Sequence, residues 1–128
     1  MRHKLYLLGF FVFVLSSNVW AGKVDLHAAE TVALNFYKLN TQDNRNGNLP
    51  TALLKYTRRE IDNSIDFYVF EIAPKGFVIV TADDNLEPVI GYSTESDFRT
   101  DFEKTGVKDW MDNTARKIAN ARNQNAIA

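Results

Sequence analysis

The stretch FYVFEIAPKGFVIVTADDNLEPVIGYS, residues 67–93, is the densest apolar part of the chain after its first 21 residues. Its aromatic and β-branched runs predict three successive strands, which begin near Phe67, Phe77 and Pro88. Pro74 and Gly76 predict a tight turn between the first two strands, with Gly76 at the positive φ that closes such hairpins. These residues therefore predict an antiparallel sheet at the centre of the fold.

The break between the second and third predicted strands contains a carboxylate cluster, Asp83, Asp84 and Glu87. Such a cluster can hold a hard cation through its oxygens. The spacing differs from that of a calcium-binding loop, however, and short polar side chains are favoured in turns because they bond their own backbone. We therefore interpret the cluster as a turn and predict no metal site.

Two amphipathic segments flank this region and predict helices. Residues 25–39 carry apolar side chains at three- and four-residue spacing, and Asp25 is a suitable N-cap. Residues 105–122 have the same spacing, with Thr105 as the N-cap and Trp110 in the stripe that faces the core.

A shorter apolar run over residues 53–57 predicts one more strand, and the turn-forming residues 40–50 predict a loop. The fold class is therefore α+β. We expect a small antiparallel sheet of about four strands, with an N-terminal and a C-terminal helix packed on it.

The first 21 residues predict a secretory signal peptide. Arg2 and Lys4 precede the apolar run 5–15, and small or moderate side chains lead to a cleavage site between Ala21 and Gly22. The alternative is a retained anchor, but the uncharged run is shorter than the roughly 20 apolar residues of a membrane span. We predict a single domain over residues 22–128 that is secreted or periplasmic and leaves the membrane after cleavage.

The composition of the predicted mature chain excludes several function classes. Loss of Arg2 and Lys4 leaves 13 basic against 16 acidic residues, a net charge of −3 that does not favour nucleic acid. With no Cys and with His27 as its single His, the chain lacks a thiol nucleophile, a disulfide framework and imidazole–thiolate metal ligands. We expect no catalytic residue, no cofactor and no enzyme activity, and we expect Arg58 and Arg59 to be solvated.

Two aromatic residues, Phe98 and Phe102, interrupt the polar connection between the last predicted strand and the second helix. Turn chemistry does not require aromatic side chains there. Either they fasten the connection to the sheet or they are offered to a binding partner, and the spacing alone leaves both alternatives open.

The central stretch resembles the propeptides of streptopain-like cysteine peptidases and the small stand-alone inhibitors of the Spi type that are similar to them. The order of the motifs carries the resemblance: FYVF at 67–70, GFVIV at 76–80, DD at 83–84, PVIGYS at 88–93, then Phe98. Glu71 and Lys75 depart from the family pattern, but neither changes the strand pattern. The two predicted helices also agree with the family pattern.

The resemblance implies a protein inhibitor of a secreted papain-like cysteine peptidase of the streptopain type, which covers the active-site cleft and disrupts the Cys–His pair. Because the given chain ends without a peptidase domain, we expect it to act in trans. The alternative is an exported folding chaperone or non-inhibitory binding module for such a peptidase. The implied peptidase-contact loop comprises Phe102, Glu103, Lys104, Thr105, Gly106 and Val107.

Overall fold

The computed structural model describes residues 22–41, 49–101 and 106–127, with side chains up to Gln124. Ala21 and Phe102–Thr105, which include the predicted cap Thr105, lie outside these residues. The elements in chain order are α1 (Leu26–Asn40), β1 (Thr51–Arg59), β2 (Ile65–Ala73), β3 (Phe77–Thr81), β4 (Val89–Ser93) and α2 (Gly106–Ile127). The predicted α+β class is confirmed, because an N-terminal and a C-terminal helix flank one antiparallel sheet.

The four strands form a meander in the order β1-β2-β3-β4, and each pair of neighbours is antiparallel. Gly76, in the β2–β3 turn, has a φ of 116°, as its place in the sequence predicts. A Cβ on Gly76 would lie 2.3 Å from the carbonyl oxygen of Ser93, so only glycine fits there. The peptide bond between Ala73 and Pro74, in the same turn, is cis.

The alternation of side chains along β2 and β3 divides the apolar residues between two faces of the sheet. One face packs on α1, where the buried side chains are Ala29, Ala33, Tyr37, Tyr68, Phe70, Ile72, Val78, Val80 and Ala82. The other face packs on α2, where they are Phe67, Val69, Ile79, Phe98, Met111 and Ile118. The sheet is therefore the middle layer of three, with a helix on each side.

Local interactions explain how α1 and the segment before it are placed. The Asp25 carboxylate accepts a hydrogen bond of 2.7 Å from the N–H of Ala28, so the predicted N-cap is confirmed. The N–H of Val24 donates to the carbonyl of Ala82, and the Tyr68 hydroxyl donates to the carbonyl of Val24. The segment before α1 therefore lies against the end of β3.

The position of Trp110 corrects the prediction that this residue belongs to the core. Its side chain is 39% exposed, whereas Met111 next to it is fully buried. The buried stripe of α2 passes through Met111, Ala115 and Ile118, so Trp110 is turned toward the outer strand β4. There it faces Gly91, which has no side chain to cover the indole.

We predict that Met111→Ala lowers the free energy of unfolding by roughly 2–5 kcal/mol, since it leaves a cavity between α2 and the sheet. Trp110→Ala should cost less, about 1–2 kcal/mol, because part of the indole already contacts water. Denaturant unfolding of both variants measures the difference. A larger loss for Trp110→Ala than for Met111→Ala would contradict the packing described above.

Candidate functional site

The connection between β4 and α2, residues 94–105, begins with a turn that is fixed by hydrogen bonds. The Ser93 hydroxyl accepts bonds from the N–H groups of Glu95 and Ser96, at 3.2 and 3.0 Å. The Asp97 carboxylate accepts a long bond of 3.5 Å from the N–H of Gly76. The first part of the connection is therefore attached to the β2–β3 turn.

Phe98 fastens the connection to the sheet. Its buried ring packs edge-on against Phe77, at 5.4 Å between centroids, and lies 6.3 Å from the ring of Tyr56. Of the two alternatives that the sequence left open for Phe98, the structure favours the one in which it packs on the fold. Arg99 and Asp101 then form an ion pair in solvent, and the described part of the connection ends there.

The start of α2 presents an apolar surface beside the end of this connection. Val107 and Trp110 lie about one turn apart and are 40% and 39% exposed. Gly106 is exposed as well, and an ideal Cβ placed on Gly91 would lie 3.8 Å from the indole of Trp110. We call Gly91, Gly106, Val107 and Trp110 the helix-start surface. Only Gly106 and Val107 of the predicted contact loop fall within the described residues.

An ion-pair cluster joins the first turns of α2 to β1. The guanidinium of Arg58 lies 2.7 Å from a carboxylate oxygen of Asp112, and Lys108 lies 2.6 Å from the other oxygen. Hydrogen bonds from Lys108 and Arg58 lower the pKa of Asp112. Burial would lower the pKa of Arg58, but Asp112 outweighs burial and raises it. The prediction that Arg58 is solvated is therefore wrong, because α2 covers this end of β1.

Arg122 joins the C-terminal half of α2 to the start of β2 and to the turn that follows β3. Its guanidinium donates to Asp66 and Asp83, both at 2.9 Å, and to the carbonyl of Ile65 at 2.7 Å. Asp83 also accepts bonds from Asn85, as predicted for a turn. Burial would raise the pKa of Asp83, but the bonds from Asn85 and Arg122 lower it. The described residues contain no group of His, Cys, Asp and Glu that could hold a metal ion.

Asp66 is 0% exposed, and its second oxygen, Oδ2, has no hydrogen-bond partner among the described residues. Burial, together with the carboxyl group of Glu60 beside it, raises the pKa of Asp66 to about 7 despite the charge of Arg122. A proton on Asp66 allows its carboxyl group to share a hydrogen bond with Glu60. The Asp66 carboxyl group therefore keeps its proton to a higher pH than an exposed aspartate does.

The remaining candidate for chemistry, His27, is exposed on the first turn of α1. Within the described ranges, no helix is long and apolar enough to span a bilayer.

Comparison with protein families identifies the chain. A model of the Spi protease inhibitor family matches residues 21–118, which is more than half of the sequence. The chain belongs to the Spi protease inhibitor family. This confirms the family predicted from the motifs at 67–93, and it gives the chain a protease as partner. No curated protein matches the chain, and no solved structure matches it.

The sequence of this Spi family member did not indicate the contact between Asp66 and Arg122 that helps to fix α2. Asp66 lies in β2 and is buried. Its partner Arg122 is 56 residues away along the chain, so no local pattern could have indicated the pair. The sequence does contain one sign that Asp66 could be buried. It is a charged residue directly before the apolar run that starts at Phe67.

We predict that the free energy of unfolding falls by roughly 2–3 kcal/mol between pH 5 and pH 8. An unfolded Asp loses its proton near pH 4, whereas Asp66 in the folded chain keeps its proton up to about pH 7. The folded state therefore binds more protons than the unfolded state across this window. Rising pH lowers the free energy of unfolding, and this loss of stability is complete above about pH 7.

Denaturant unfolding as a function of pH measures this loss, with Asp66→Asn as the decisive variant. An amide retains the bond to Arg122 and can donate to Glu60, so the slope between pH 5 and pH 8 should be flatter. Asp84→Asn, at an exposed position of the β3–β4 turn, is the control and should keep the wild-type slope. Equal slopes for the wild type and Asp66→Asn would contradict the assignment of the proton.

Proposed function

We propose that the chain is an exported, stand-alone inhibitor of a streptopain-type cysteine peptidase. Its membership in the Spi protease inhibitor family is the observation that supports this proposal most strongly. The propeptide-like order of motifs in residues 67–93 supports the peptidase class. The family match also begins at residue 21, beside the cleavage site proposed between Ala21 and Gly22.

The inhibitor covers the active-site cleft with residues 102–107 and the adjoining helix-start surface. The segment is flanked by the buried Phe98 on one side and the buried Met111 on the other. Both of these side chains belong to the same apolar layer, between the sheet and α2. The two flanks of the segment are therefore fixed before a partner binds, and a fixed support reduces the entropy lost on binding.

Inhibition of this kind needs shape and apolar contact rather than reactive groups. Val107 and Trp110 supply exposed apolar area beside residues 102–105, and Phe102 supplies an aromatic side chain of the type that dominates binding energy at protein interfaces. The covered cleft excludes substrate, and the inserted segment holds the catalytic Cys and His of the peptidase apart.

Action in trans sets a further requirement. A tethered propeptide acts at a high effective concentration, which a separate chain loses. The separate inhibitor must also overcome the translational and rotational entropy lost on association. The ion pairs of Arg58 with Asp112 and of Arg122 with Asp66 and Asp83 support such binding, because they hold α2 in one position before the peptidase arrives.

We predict that the purified chain from Gly22 onward abolishes peptide hydrolysis by a streptopain-type cysteine peptidase at about one equivalent. Hydrolysis of a fluorogenic peptide during titration with the inhibitor is the measurement. A trypsin-like serine peptidase should be unaffected and is the control for specificity. If a stoichiometric amount leaves the cysteine peptidase fully active, the proposed function is wrong.

We predict that Phe102→Ala weakens inhibition about 30-fold, which corresponds to the ~2 kcal/mol of a strong interface residue, with little change in thermal stability. Thr100→Ala, at an exposed position of the same connection, should leave the inhibition constant unchanged. Inhibition constants and melting temperatures are measured for both variants. A sharp fall in the melting temperature, without weaker binding per folded molecule, would instead place Phe102 in the core.

A further inference from the structure

The segment directly before α1 is held against the sheet by its backbone. Lys23 forms an antiparallel bridge with Asp83, just after β3. The N–H of Val24 donates to the carbonyl of Ala82 at 3.0 Å, and the carbonyl of Val24 accepts from the Tyr68 hydroxyl at 3.1 Å. Both backbone polar groups of Val24 are therefore used by the fold.

The residues around Val24 leave this segment little freedom. Its side chain packs against the apolar cluster between the sheet and α1. The next residue, Asp25, caps α1 through a hydrogen bond of 2.7 Å from the N–H of Ala28. Three consecutive residues are therefore fixed, and only Gly22 separates them from the predicted cleavage site after Ala21. One extended residue spans about 3.5 Å, so the bond to be cleaved lies very close to the folded domain.

A signal peptidase needs a different arrangement of the same residues. Proteins commonly bind an extended peptide through main-chain hydrogen bonds, as an added strand. A peptidase that cleaves after Ala21 in this way has to take up Gly22 and the residues that follow it. In the folded chain the backbone groups of Val24 are already bonded to the domain. A folded segment of this kind is cleaved only from a transiently opened form.

The space beside the segment does not remove this conflict. Residues 22–24 line a cleft of about 450 Å³ together with residues 62–65 and Arg122. A cavity of this volume suits a small molecule and is too small for the substrate-binding face of an enzyme. The segment therefore has to leave the sheet before a peptidase can bind it.

We propose that folding of the domain protects the bond between Ala21 and Gly22, so that signal peptidase acts before residues 22–24 dock on the sheet. The reaction is a hydrolysis, in which water adds across the peptide bond and leaves a carboxylate on Ala21 and an amine on Gly22. A precursor that folds first keeps its leader. This proposal rests on the export that forms part of the proposed function, and it is independent of the surface that contacts the inhibited peptidase.

The test compares two full-length precursors, one with the native sequence and one with Gly-Ser-Gly-Ser inserted between Gly22 and Lys23. The insertion adds about 14 Å of extended chain and keeps the residues on both sides of the cleaved bond. Cleavage by a type I signal peptidase in detergent micelles is followed by mass spectrometry. The native precursor should be cleaved about 10-fold more slowly, because only its opened form is a substrate. Equal rates would overturn the proposal.

A point variant tests whether docking of Val24 provides the protection. Tyr68→Phe removes the hydroxyl that donates to Val24, and it should raise the cleavage rate of the native precursor about fivefold, the effect of one ordinary hydrogen bond on the opened population. Tyr92→Phe removes a hydroxyl from a half-exposed position of β4 and should keep the native rate. Melting temperatures verify that each precursor is folded in the assay. An unchanged rate for Tyr68→Phe would contradict the role of this contact.

Short peptides separate the effect of the fold from that of the sequence. Peptides of residues 12–30, with and without the insertion, lack the sheet and should be cleaved at equal rates. A slow native peptide would show that the sequence itself limits cleavage, which would overturn the proposal. No cleavage of either peptide would overturn both the cleavage site and the proposal. Inhibition of a cysteine peptidase by the chain from Gly22 onward does not depend on any of these rates, so it tests the inhibitory function separately.

Discussion

The position of α2 depends on the contacts that Arg122 makes with Asp66 and Asp83. The helix contributes only a narrow buried stripe, Met111, Ala115 and Ile118, and such apolar packing tolerates sliding along the sheet. The guanidinium has fixed geometry, so its two ion pairs and its bond to the carbonyl of Ile65 select one position. Loss of Arg122 would leave the buried carboxylate of Asp83 without its cation and Asp66 without a hydrogen-bond donor, which is far more costly than loss of an exposed pair.

The same network of charged groups reaches the helix-start surface and the β1–β2 turn. At one end, Asp112 links Arg58 on β1 to Lys108 in the first turns of α2, beside the helix-start surface. At the other end, Glu60 lies beside Asp66 and begins the turn that carries Ile61. Charged groups therefore connect the β1–β2 turn, the end of β1 and the first turns of α2.

The sequence predicted features that depend on near neighbours and missed those that depend on distant ones. The β3 strand, the Asp25 cap and the positive φ of Gly76 all follow from adjacent residue types, and all three are confirmed. The burial of Asp66 and the exposure of Trp110 depend on what lies opposite in space. Asp66 is compensated by Arg122 on α2, and Trp110 faces a glycine on the outer strand, so neither fact is encoded in the local spacing.

The three-layer arrangement also limits where a partner can bind. Residues 67–93 dominate the sequence, but α1 covers one face of the sheet that they build and α2 covers the other, so little of β2 and β3 remains accessible. Recognition is therefore left to turns, outer strands and helix ends. The helix-start surface is of this kind, and it is attached to the central layer through the buried Met111 next to Trp110. The most apolar stretch thus supports the proposed function indirectly, because it gives short exposed segments the rigidity that the proposed binding in trans requires.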